Sequence, residues 1–391
     1  MAGSIGVAVV GAGDAGRAHA LAYRSIFNTM LPSVRLVSIA DIRQDLGAAL
    51  ATRLGYQRRD TSWHAIAEAP DIDVVSVVVA NSIHREVVEG LLAAGKHVLC
   101  EKPLSNTVAD ARAMAVAARG ASTIARVGFT YRRAPAFAFI RNLIQGGSLG
   151  RLLHFSGRFW CDYAGDSTLP ISWRFKGAAG SGALADVGSH LADLAEFIAG
   201  PAQSIGGGRF STVIHERPIA SSATASSNMS DKVENDDYAA FTAAFEIGVG
   251  SFEVSRIATG HSNTLAFEIF LEHGSITYDH RRPGEIELAI NEGPQELRGF
   301  RQIVLGPGHA YVSGRHTMNS VSAQYSSDDN FALQARAFLE EVAGIDERLS
   351  LPRCASFDEG VHNMEILDAV VQSALSGGAA VDLPARGSVV A

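Results

Sequence analysis

Hydrophobic and polar residues follow one another along the first third of the chain in a pattern typical of strands buried in a parallel sheet. Short, almost continuous apolar runs such as Ile5–Val10 and Val74–Ala80 are bounded by glycine or polar residues. Segments with a helical period separate these runs, for example 15–27 and 85–94. Runs rich in β-branched residues with helices between them favour parallel strands covered on both faces. The pattern therefore predicts an α/β domain over residues 1–132.

The pattern changes in the remainder of the chain. A strand-like alternation over 151–160 leads into a polar, glycine-rich stretch and then into a helix that ends near Ile198. Further strand-like runs follow with little helix between them, at 206–214, 238–246, 249–257, 265–271, 276–278 and 286–290. Such a succession favours an open, mostly antiparallel sheet, the α+β half of the protein. We expect this second domain to span 133–391, with amphipathic helices at 331–343 and 357–376 and a loose loop over 220–230.

A glycine-rich turn joins the first apolar run to the first helix. Gly11, Gly13 and Gly16 have the spacing G-x-G-x-x-G directly after the predicted strand. In such a turn the first glycine makes the bend, the second lets the backbone approach a pyrophosphate, and the third lets the helix pack closely. The positive end of the helix then holds the phosphates, which predicts a Rossmann-type dinucleotide-binding domain. Asp14 and Ala15 lie in the turn and are candidate cofactor contacts.

An acidic residue ends the second predicted strand. Asp41 follows Val34–Ala40 about 25 residues after Gly16, near the position where such folds place the carboxylate that binds the ribose hydroxyls. A carboxylate there repels a 2′-phosphate, so the sequence favours NAD over NADP, although Arg43 offers a cation that softens this preference. The alternative is that Asp41 caps the helix beginning near Arg43, and both roles are compatible. Ile42 lies between them and is a further candidate cofactor contact.

Polar residues also follow the next two predicted strands of the first domain, at the edge where open α/β sheets bind ligands. The polar residues are Asn81 and His84 after one strand, and Glu101 and Lys102 after the other; with Ala80, the last residue of the run Val74–Ala80, they are candidate cofactor contacts. Taken alone, His84 fits an ordinary residue in the first turn of a helix. For Glu101 and Lys102, the alternative to a role in ligand binding is a surface ion pair between the two side chains.

In the second domain a carboxylate and an imidazole stand four residues apart. Asp186 and His190 open the helix that runs to Ile198, and residues at this spacing share one helix face. The pair suits proton transfer, because the imidazole moves the proton while the carboxylate fixes its tautomer and stabilises its charged form. A local structural contact is the alternative from spacing alone. The small residues Gly188 and Ser189 between them leave access for a ligand.

Together these motifs resemble the Gfo/Idh/MocA family, which includes glucose–fructose oxidoreductase and inositol dehydrogenase. The resemblance spans nearly the whole chain and rests on the glycine turn, Ala80-Asn81-Ser82-Ile83-His84, Glu101-Lys102-Pro103-Leu104-Ser105 and the D-x-G-x-H pattern of 186–190. It implies that Lys102 lies beside the nicotinamide and the reacting hydroxyl, where Asp186 and His190 join it. It also implies that Asp41 and Asn81 touch the cofactor.

Other residues are candidate ligand contacts. Thr130 departs from the asparagine that the family often has before Tyr131 and Arg132, which leaves a contact from that position open. Carbohydrate sites combine apolar ring faces with partners for hydroxyl groups, and the candidates of this kind are Trp160, Asp162, Tyr163, Trp173, Arg174 and Lys176; core packing is the alternative for the two tryptophans. Arg132, Trp173, Arg174 and Glu101 are also candidate cofactor contacts. Tyr131 and, in the long loop 306–328, His309 and Tyr325 are candidate substrate contacts.

Composition narrows the class of partner. The 391-residue chain has a formal net charge of −8 and no basic run interleaved with aromatic residues, which argues against nucleic acid or an anionic membrane. No apolar stretch is long enough to span a bilayer, and Met1–Gly6 leads straight into the first strand, so we expect no signal peptide. Cys100, Cys161 and Cys354 fit neither a zinc spacing nor a disulfide framework, which favours the reducing cytoplasm and no metal site.

The resulting hypothesis is an NAD-dependent dehydrogenase that oxidises a secondary hydroxyl of a sugar or cyclitol to a ketone. His190 accepts the hydroxyl proton while hydride passes to the nicotinamide, Lys102 stabilises the developing alkoxide and Asp186 orients His190. Whether Lys102 or His190 is the formal base stays open. Residues 155–163 and 172–190 are most similar to the inositol and anhydrosugar (levoglucosan-type) branch of the family.

The resemblance also implies a homo-oligomer, a dimer or tetramer formed through one face of the second sheet. Three alternative functions remain on this fold. One is a glycosidase that oxidises its sugar transiently and returns the hydride. The others are a ketosugar reductase and a regulatory protein that senses sugar or NAD without chemistry.

Overall fold

The computed structural model describes residues 3–26, 30–219, 229–306, 308–309 and 329–386. The chain divides into two compact units, residues 1–135 with 306–364 and residues 136–305 with 365–391. The division predicted from the sequence, 1–132 and 133–391, places the first boundary three residues earlier and gives the whole return segment 306–364 to the second domain. Residues 220–228 of the predicted loose loop and Tyr325 lie outside the described residues. None of the helices within the described ranges is long and apolar enough to cross a membrane.

Strands and helices are numbered in chain order. The strands are β1 (Ile5–Val10), β2 (Val34–Ala40), β3 (Arg58–Asp60), β4 (Val74–Val77), β5 (His97–Cys100), β6 (Ala125–Val127), β7 (Leu152–Trp160), β8 (Ala202–Ser211), β9 (Glu216–Pro218), β10 (Ser230–Lys232), β11 (Tyr238–Phe245), β12 (Val249–Ser255), β13 (Thr264–Leu271), β14 (Gly274–Asp279), β15 (Glu285–Ile290), β16 (Arg301–Val304), β17 (Ala355–Ser356) and β18 (Val381–Asp382). The helices are α1 (Asp14–Ser25), α2 (Gln44–Leu54), α3 (Trp63–Glu68), α4 (His84–Ala93), α5 (Val108–Gly120), α6 (Pro135–Gln145), α7 (Ser189–Ala199), α8 (Asp329–Val342) and α9 (Phe357–Leu375).

The first unit is built on a sheet with the strand order β17-β6-β5-β4-β1-β2-β3. The strands from β6 to β3 run parallel, and β17 adds to β6 in the antiparallel direction. Every residue of β1 and β4 is buried, as the continuous apolar runs predict. The order from β3 to β6 reverses at β1, which is the arrangement of dinucleotide-binding folds. The predicted Rossmann-type domain is confirmed, and α8 of the return segment packs on α1.

The second unit is built on a sheet with the order β16-β15-β14-β13-β7-β12-β11-β8-β18. Its neighbouring strands are antiparallel except for the pair β7 and β12. Phe155 and Phe159 of β7 are buried while Ser156 and Arg158 are exposed, so the predicted alternation is present. Phe137 of α6 packs against Tyr278 on the buried face, with ring centroids 4.6 Å apart. The prediction of an open, mostly antiparallel sheet is confirmed.

Strand β8 begins earlier than the predicted strand 206–214. Three successive glycines, 206–208, lie inside β8, and a strand with so many glycines is hard to recognise from composition. Gly207 has φ of +61°, and the register with β11 shifts at this point. The glycines therefore form a bulge within the strand and do not mark its start.

Candidate active site

The glycine turn after β1 is shaped by two close backbone approaches. Gly11 has φ of +108°, and a Cβ there would lie 2.1 Å from the carbonyl oxygen of Val78. A Cβ on Gly16 would lie 2.0 Å from the carbonyl oxygen of Gly11, so a side chain there would push α1 away from the turn. Gly13 is exposed at the start of α1, and no atom of the described residues lies within 4 Å of its Cβ position. The turn thus has open space at the helix N-terminus, where the exposed Asp14 and Ala15 also lie.

Asp41 connects the end of β2 to the glycine turn. Its Oδ2 accepts the N–H of Ala12 at 2.7 Å and its Oδ1 accepts the N–H of Arg43 at 2.8 Å. Arg43 is the residue that precedes α2, so Asp41 makes an Asx turn just before the helix. Each carboxylate oxygen keeps a further lone pair for a hydroxyl group. Ile42 beside it is 88% exposed.

His84 is fully buried and holds two loops together. Its ring nitrogens lie 3.1 Å from the carbonyl oxygen of Leu104 and 3.0 Å from that of Val79. Burial lowers the pKa of His84, although its bonds to these carbonyls act in the opposite direction. Since both nitrogens face backbone, this placement favours a supporting role, and its predicted cofactor contact stays untested. Ala80 is exposed and Asn81 half-buried in the turn between β4 and α4.

Glu101 directly follows β5 and precedes Lys102, and its side chain is 12% exposed. Its Oε1 is 2.8 Å from Nε2 of His19, and its Oε2 accepts the backbone N–H of Lys102 at 3.1 Å. Burial alone would raise the pKa of Glu101, but the hydrogen bond from His19 and the nearby charge of Lys102 outweigh it and lower that pKa. The Glu101 carboxylate thus lies largely in the interior, with His19 and the Lys102 backbone among its partners. Lys102 itself is half-buried and precedes a cis peptide bond to Pro103.

The turn after β6 is fastened to the return segment. Arg132 is buried, and its guanidinium lies 2.7 Å from Oε1 of Glu359. The other oxygen of Glu359 accepts the backbone N–H of Ser356 at 2.8 Å. Tyr131 is half-buried in the same turn. Arg132 thus has a protein partner in the structure, and its predicted contact with the cofactor stays a prediction.

Asp186 and His190 lie on consecutive turns of one helical segment in the second unit. Asp186 is in a π-helical turn, Leu184–Gly188, and His190 is in the first turn of α7; both are half-buried. The sequence predicted one α-helix through both residues, and the structure differs in this widened turn, which is a frequent feature of functional sites. Tyr163 donates its hydroxyl to Oδ2 of Asp186 at 2.6 Å. Partial burial and the charge of Asp186 raise the pKa of Tyr163, so the phenol stays protonated and remains the donor.

Three buried residues that the sequence analysis did not identify hold this region in place. Asp236 accepts the N–H groups of Gly182 and Leu184 at 2.9 and 2.8 Å, which caps the segment leading into the π-helical turn. Asn235 donates to the carbonyl oxygen of Arg174 at 3.1 Å. Asp237 pairs with buried Arg256 at 2.8 Å. The available signal was a run of acidic and amide residues immediately before a strand, which is unusual for a solvent-exposed loop.

The predicted contacts Trp173 and Arg174 lie in an exposed turn that has a buried anchor. Trp173 is 61% exposed, and the Arg174 guanidinium lies 4.6 Å from the centre of its ring. Phe175 next to them is buried between two guanidinium groups, with Arg217 at 4.1 Å and Arg256 at 4.9 Å from its ring centre. Core packing therefore does not explain Trp173. The turn exposes the aromatic face of Trp173 and the cation of Arg174, and the buried Phe175 holds the turn in place.

The remaining predicted substrate contacts have different surroundings. The ammonium of Lys176 lies 3.0 Å from Asp231 and 3.1 Å from Glu234, so it already has carboxylate partners. Trp160 is half-buried, with the Arg158 guanidinium 4.8 Å from its ring centre. Nδ1 of His309 accepts the N–H of Gly306 at 3.0 Å. Each unit thus brings together its own set: the glycine turn and Asp41 in the first, and Tyr163 with Asp186 and the adjacent His190 turn in the second.

Comparison with known proteins covers both parts of the chain. Residues 5–129 match the family model described as an oxidoreductase family with an NAD-binding Rossmann fold. Residues 137–277 match the model of the GFO/IDH/MocA C-terminal domain.

Individual relatives extend this match over nearly the full length. Levoglucosan dehydrogenase of Pseudarthrobacter phenanthrenivorans is 34% identical over 384 residues, which cover 95% of this chain and 96% of that protein. Myo-inositol 2-dehydrogenase of Thermotoga maritima is 25% identical over 361 residues, covering 86% of this chain and 99% of that protein. A solved structure of levoglucosan dehydrogenase in complex with NADH and levoglucosan matches with a TM-score of 0.88 at 32% identity, covering 98% of this chain and 100% of that one. The chain belongs to the Gfo/Idh/MocA family of oxidoreductases.

Proposed function

We propose that this protein is an NAD-dependent dehydrogenase that oxidises a secondary hydroxyl group of a sugar or cyclitol to a ketone, with anhydrosugars of the levoglucosan type as the first substrates to test. The observation that carries the proposal is the 34% identity to levoglucosan dehydrogenase over 95% of this chain and 96% of that protein. The residues needed for the chemistry, Lys102, Asp186 and His190, are all present.

The first unit fits a dinucleotide. The open space at Gly13, the N-terminus of α1 and the carboxylate of Asp41 are the groups that would hold the pyrophosphate and the adenosine ribose. The negative charge of Asp41 disfavours a 2′-phosphate, which supports NAD over NADP. When bound, the nicotinamide supplies the acceptor for a hydride.

The protein side chains handle the proton and the charge that develops on the substrate. His190 takes the proton of the reacting hydroxyl, and Lys102 donates a hydrogen bond to the same oxygen as it becomes an alkoxide. Asp186 stabilises the protonated imidazole. Tyr163, which donates to Asp186, holds that carboxylate in one orientation.

The proposal is tested by measuring NADH formation with purified protein, NAD and a panel of levoglucosan, inositols and aldoses, repeated with NADP. We expect reduction of NAD with one class of sugar and a lower rate with NADP. Reduction of added ketosugars by NADH without the forward reaction would favour the reductase alternative. Cleavage of a glycoside without net NADH formation would favour the glycosidase. Bound NAD with no turnover of any kind would contradict the enzymatic proposal and favour the sensor.

A further inference from the structure

A chain of polar side chains runs through the interior of the first unit and ends at the Lys102 turn. His19 on α1 is 1% exposed. Its Nε2 lies 2.8 Å from Oε1 of Glu101, and its Nδ1 lies 3.0 Å from Oγ of Ser76. The Ser76 hydroxyl lies 2.8 Å from the hydroxyl of Tyr23, which is also buried. The proposed reaction uses none of His19, Ser76 and Tyr23, although they converge on the residue before Lys102.

One arrangement of hydrogens satisfies every donor and acceptor in this chain. Burial raises the pKa of Tyr23, so its phenol remains protonated, and in this arrangement it donates to the Ser76 hydroxyl. Ser76 then donates to Nδ1 of His19, and the Nε2–H of His19 donates to the carboxylate of Glu101. The donors therefore all point from Tyr23 toward Glu101.

The carboxylate at the end of the chain has little room to move. Its second oxygen accepts the backbone N–H of Lys102 at 3.1 Å. A Cβ on Gly128 would lie 2.8 Å from Oε1 of Glu101, so the backbone of Gly128 closes that side. Phe331 of α8 packs edge-on against the His19 ring, with centroids 5.4 Å apart. The Glu101 carboxylate therefore links the His19 ring to the backbone of Lys102.

We propose that His19 is a positioning residue for Lys102: by donating to Glu101, it fixes the carboxylate that holds the Lys102 backbone, and so sets where the ammonium group meets the reacting oxygen. This inference rests on the proposed function in taking Lys102 to act on the substrate hydroxyl. A displacement of about 1 Å at such a group costs roughly 10²-fold in rate. His19 thus affects the chemical step without touching the substrate.

Two substitutions separate this role from a general contribution to folding. In His19→Gln the side-chain amide nitrogen stands near the former Nε2, so the bond to Glu101 is kept and the bond to Ser76 is lost. In His19→Asn the shorter amide stands near the former Nδ1, so the bond to Ser76 is kept and the bond to Glu101 is lost. His97→Gln is the matched control, because His97 lies at the opposite end of β5 and accepts only the N–H of Ile124 among the contacts described, at 3.0 Å.

The readouts are kcat, KM and the primary deuterium isotope effect on hydride transfer. We expect His19→Asn to lower kcat about 10²-fold with little change in KM and with a larger isotope effect, because the chemical step becomes limiting. We expect His19→Gln and His97→Gln to stay within roughly fivefold of the wild type. A smaller folded fraction would lower kcat without changing the isotope effect. Equal kcat values for the Asn and Gln variants would overturn the proposal.

Hydrogen exchange at the Lys102 amide provides a readout that does not depend on activity. The amide should exchange faster in His19→Asn than in His19→Gln, because only the former releases Glu101. If no sugar of the panel supports reduction of NAD by the wild type, the proposed function fails. The exchange measurement still decides whether His19 anchors the backbone at Lys102. Equal exchange rates of the Lys102 amide in the two variants would contradict the anchoring role of His19.

Discussion

At the scale of single residues, two carboxylates of the candidate site, Glu101 and Asp186, have hydrogen-bond partners that fix their surroundings. Glu101 holds the backbone of Lys102, and Asp186 is itself held by a tyrosine hydroxyl. The sequence analysis named both carboxylates as candidate site residues, from the patterns E-K-P and D-x-G-x-H. The hydrogen bonds that join them to Tyr163 and His19 were not predicted, because a hydrogen bond between residues distant in the sequence leaves no local periodicity.

Removing the hydroxyl of Tyr163 should slow the reaction without weakening substrate binding strongly. Tyr163→Phe deprives Asp186 of a donor at 2.6 Å, and a hydrogen bond to a charged group is worth about 1.5 kcal/mol or more, or roughly tenfold in rate. We expect kcat to fall about tenfold in steady-state assays. Tyr56→Phe is the control, because the Tyr56 hydroxyl donates to the carbonyl of Ala20. Equal effects of the two substitutions on kcat would argue against a role for Tyr163 at Asp186.

The second unit should lose stability in mild acid because of one buried histidine. Burial lowers the pKa of His280 from 6.5 to about 4, although the charge of Asp279 acts in the opposite direction. The unfolded chain therefore binds more protons than the native state between these values, so the stabilisation is complete above about pH 6.5 and is lost as the pH falls toward 4.

The measurement for this effect is urea denaturation of the wild type and His280→Gln at pH 7 and pH 5. From pH 7 to pH 5 the wild type should lose roughly 2 kcal/mol more of its free energy of unfolding than the variant does. Parallel losses in the two proteins would show that His280 is not the responsible group.

At the scale of elements, the π-helical turn at 184–188 is fixed by a residue from another part of the chain. Spacing placed Asp186 and His190 on one helix but did not reveal the widened turn, because residues four apart also suit an ordinary α-helix. The cap comes from Asp236, about 50 residues later, whose two oxygens accept two N–H groups. Capping over such a distance is a product of tertiary packing, and local preferences do not encode it.

Replacing the cap should affect stability and activity together. Asp236→Asn leaves one oxygen to accept and turns an NH₂ group toward a buried N–H, which costs about 1–3 kcal/mol. We expect a lower Tm in calorimetry together with a lower kcat. Asp231→Asn is the control, because Asp231 pairs with Lys176 at a half-exposed site, where solvent screening leaves such a pair with little effect on stability. A wild-type Tm for Asp236→Asn would contradict the capping role.

The strands and helices were predictable to different degrees. Buried strands such as β1 and β4 stand out as continuous apolar runs. Strand β3 was missed because its residues, Arg58–Asp60, are all polar and lie at the sheet edge. The amphipathic pattern of α8 predicted a helix but not its packing partner, since an apolar face does not specify which unit it will cover.

At the scale of the whole molecule, the assembly in solution stays a prediction. The exposed face of the second sheet carries Ser156 and Arg158 from β7 and Glu253 and Glu268 from the neighbouring strands β12 and β13. Family resemblance implies that this face joins copies of the chain. Light scattering on the purified protein should give the mass of a dimer or tetramer. A monomer at the concentration used for activity assays would contradict the predicted assembly.

The proposed transfer of a hydride from a sugar carbon to NAD can be measured directly by isotope transfer. The panel sugar that reduces NAD fastest is prepared with deuterium on its ring carbons and incubated with the protein and NAD. We expect NADH that carries one deuterium, detected by mass spectrometry, together with a ketone derived from the sugar. Unlabelled NADH, or no reduced cofactor with any sugar of the panel, would contradict the proposed hydride transfer.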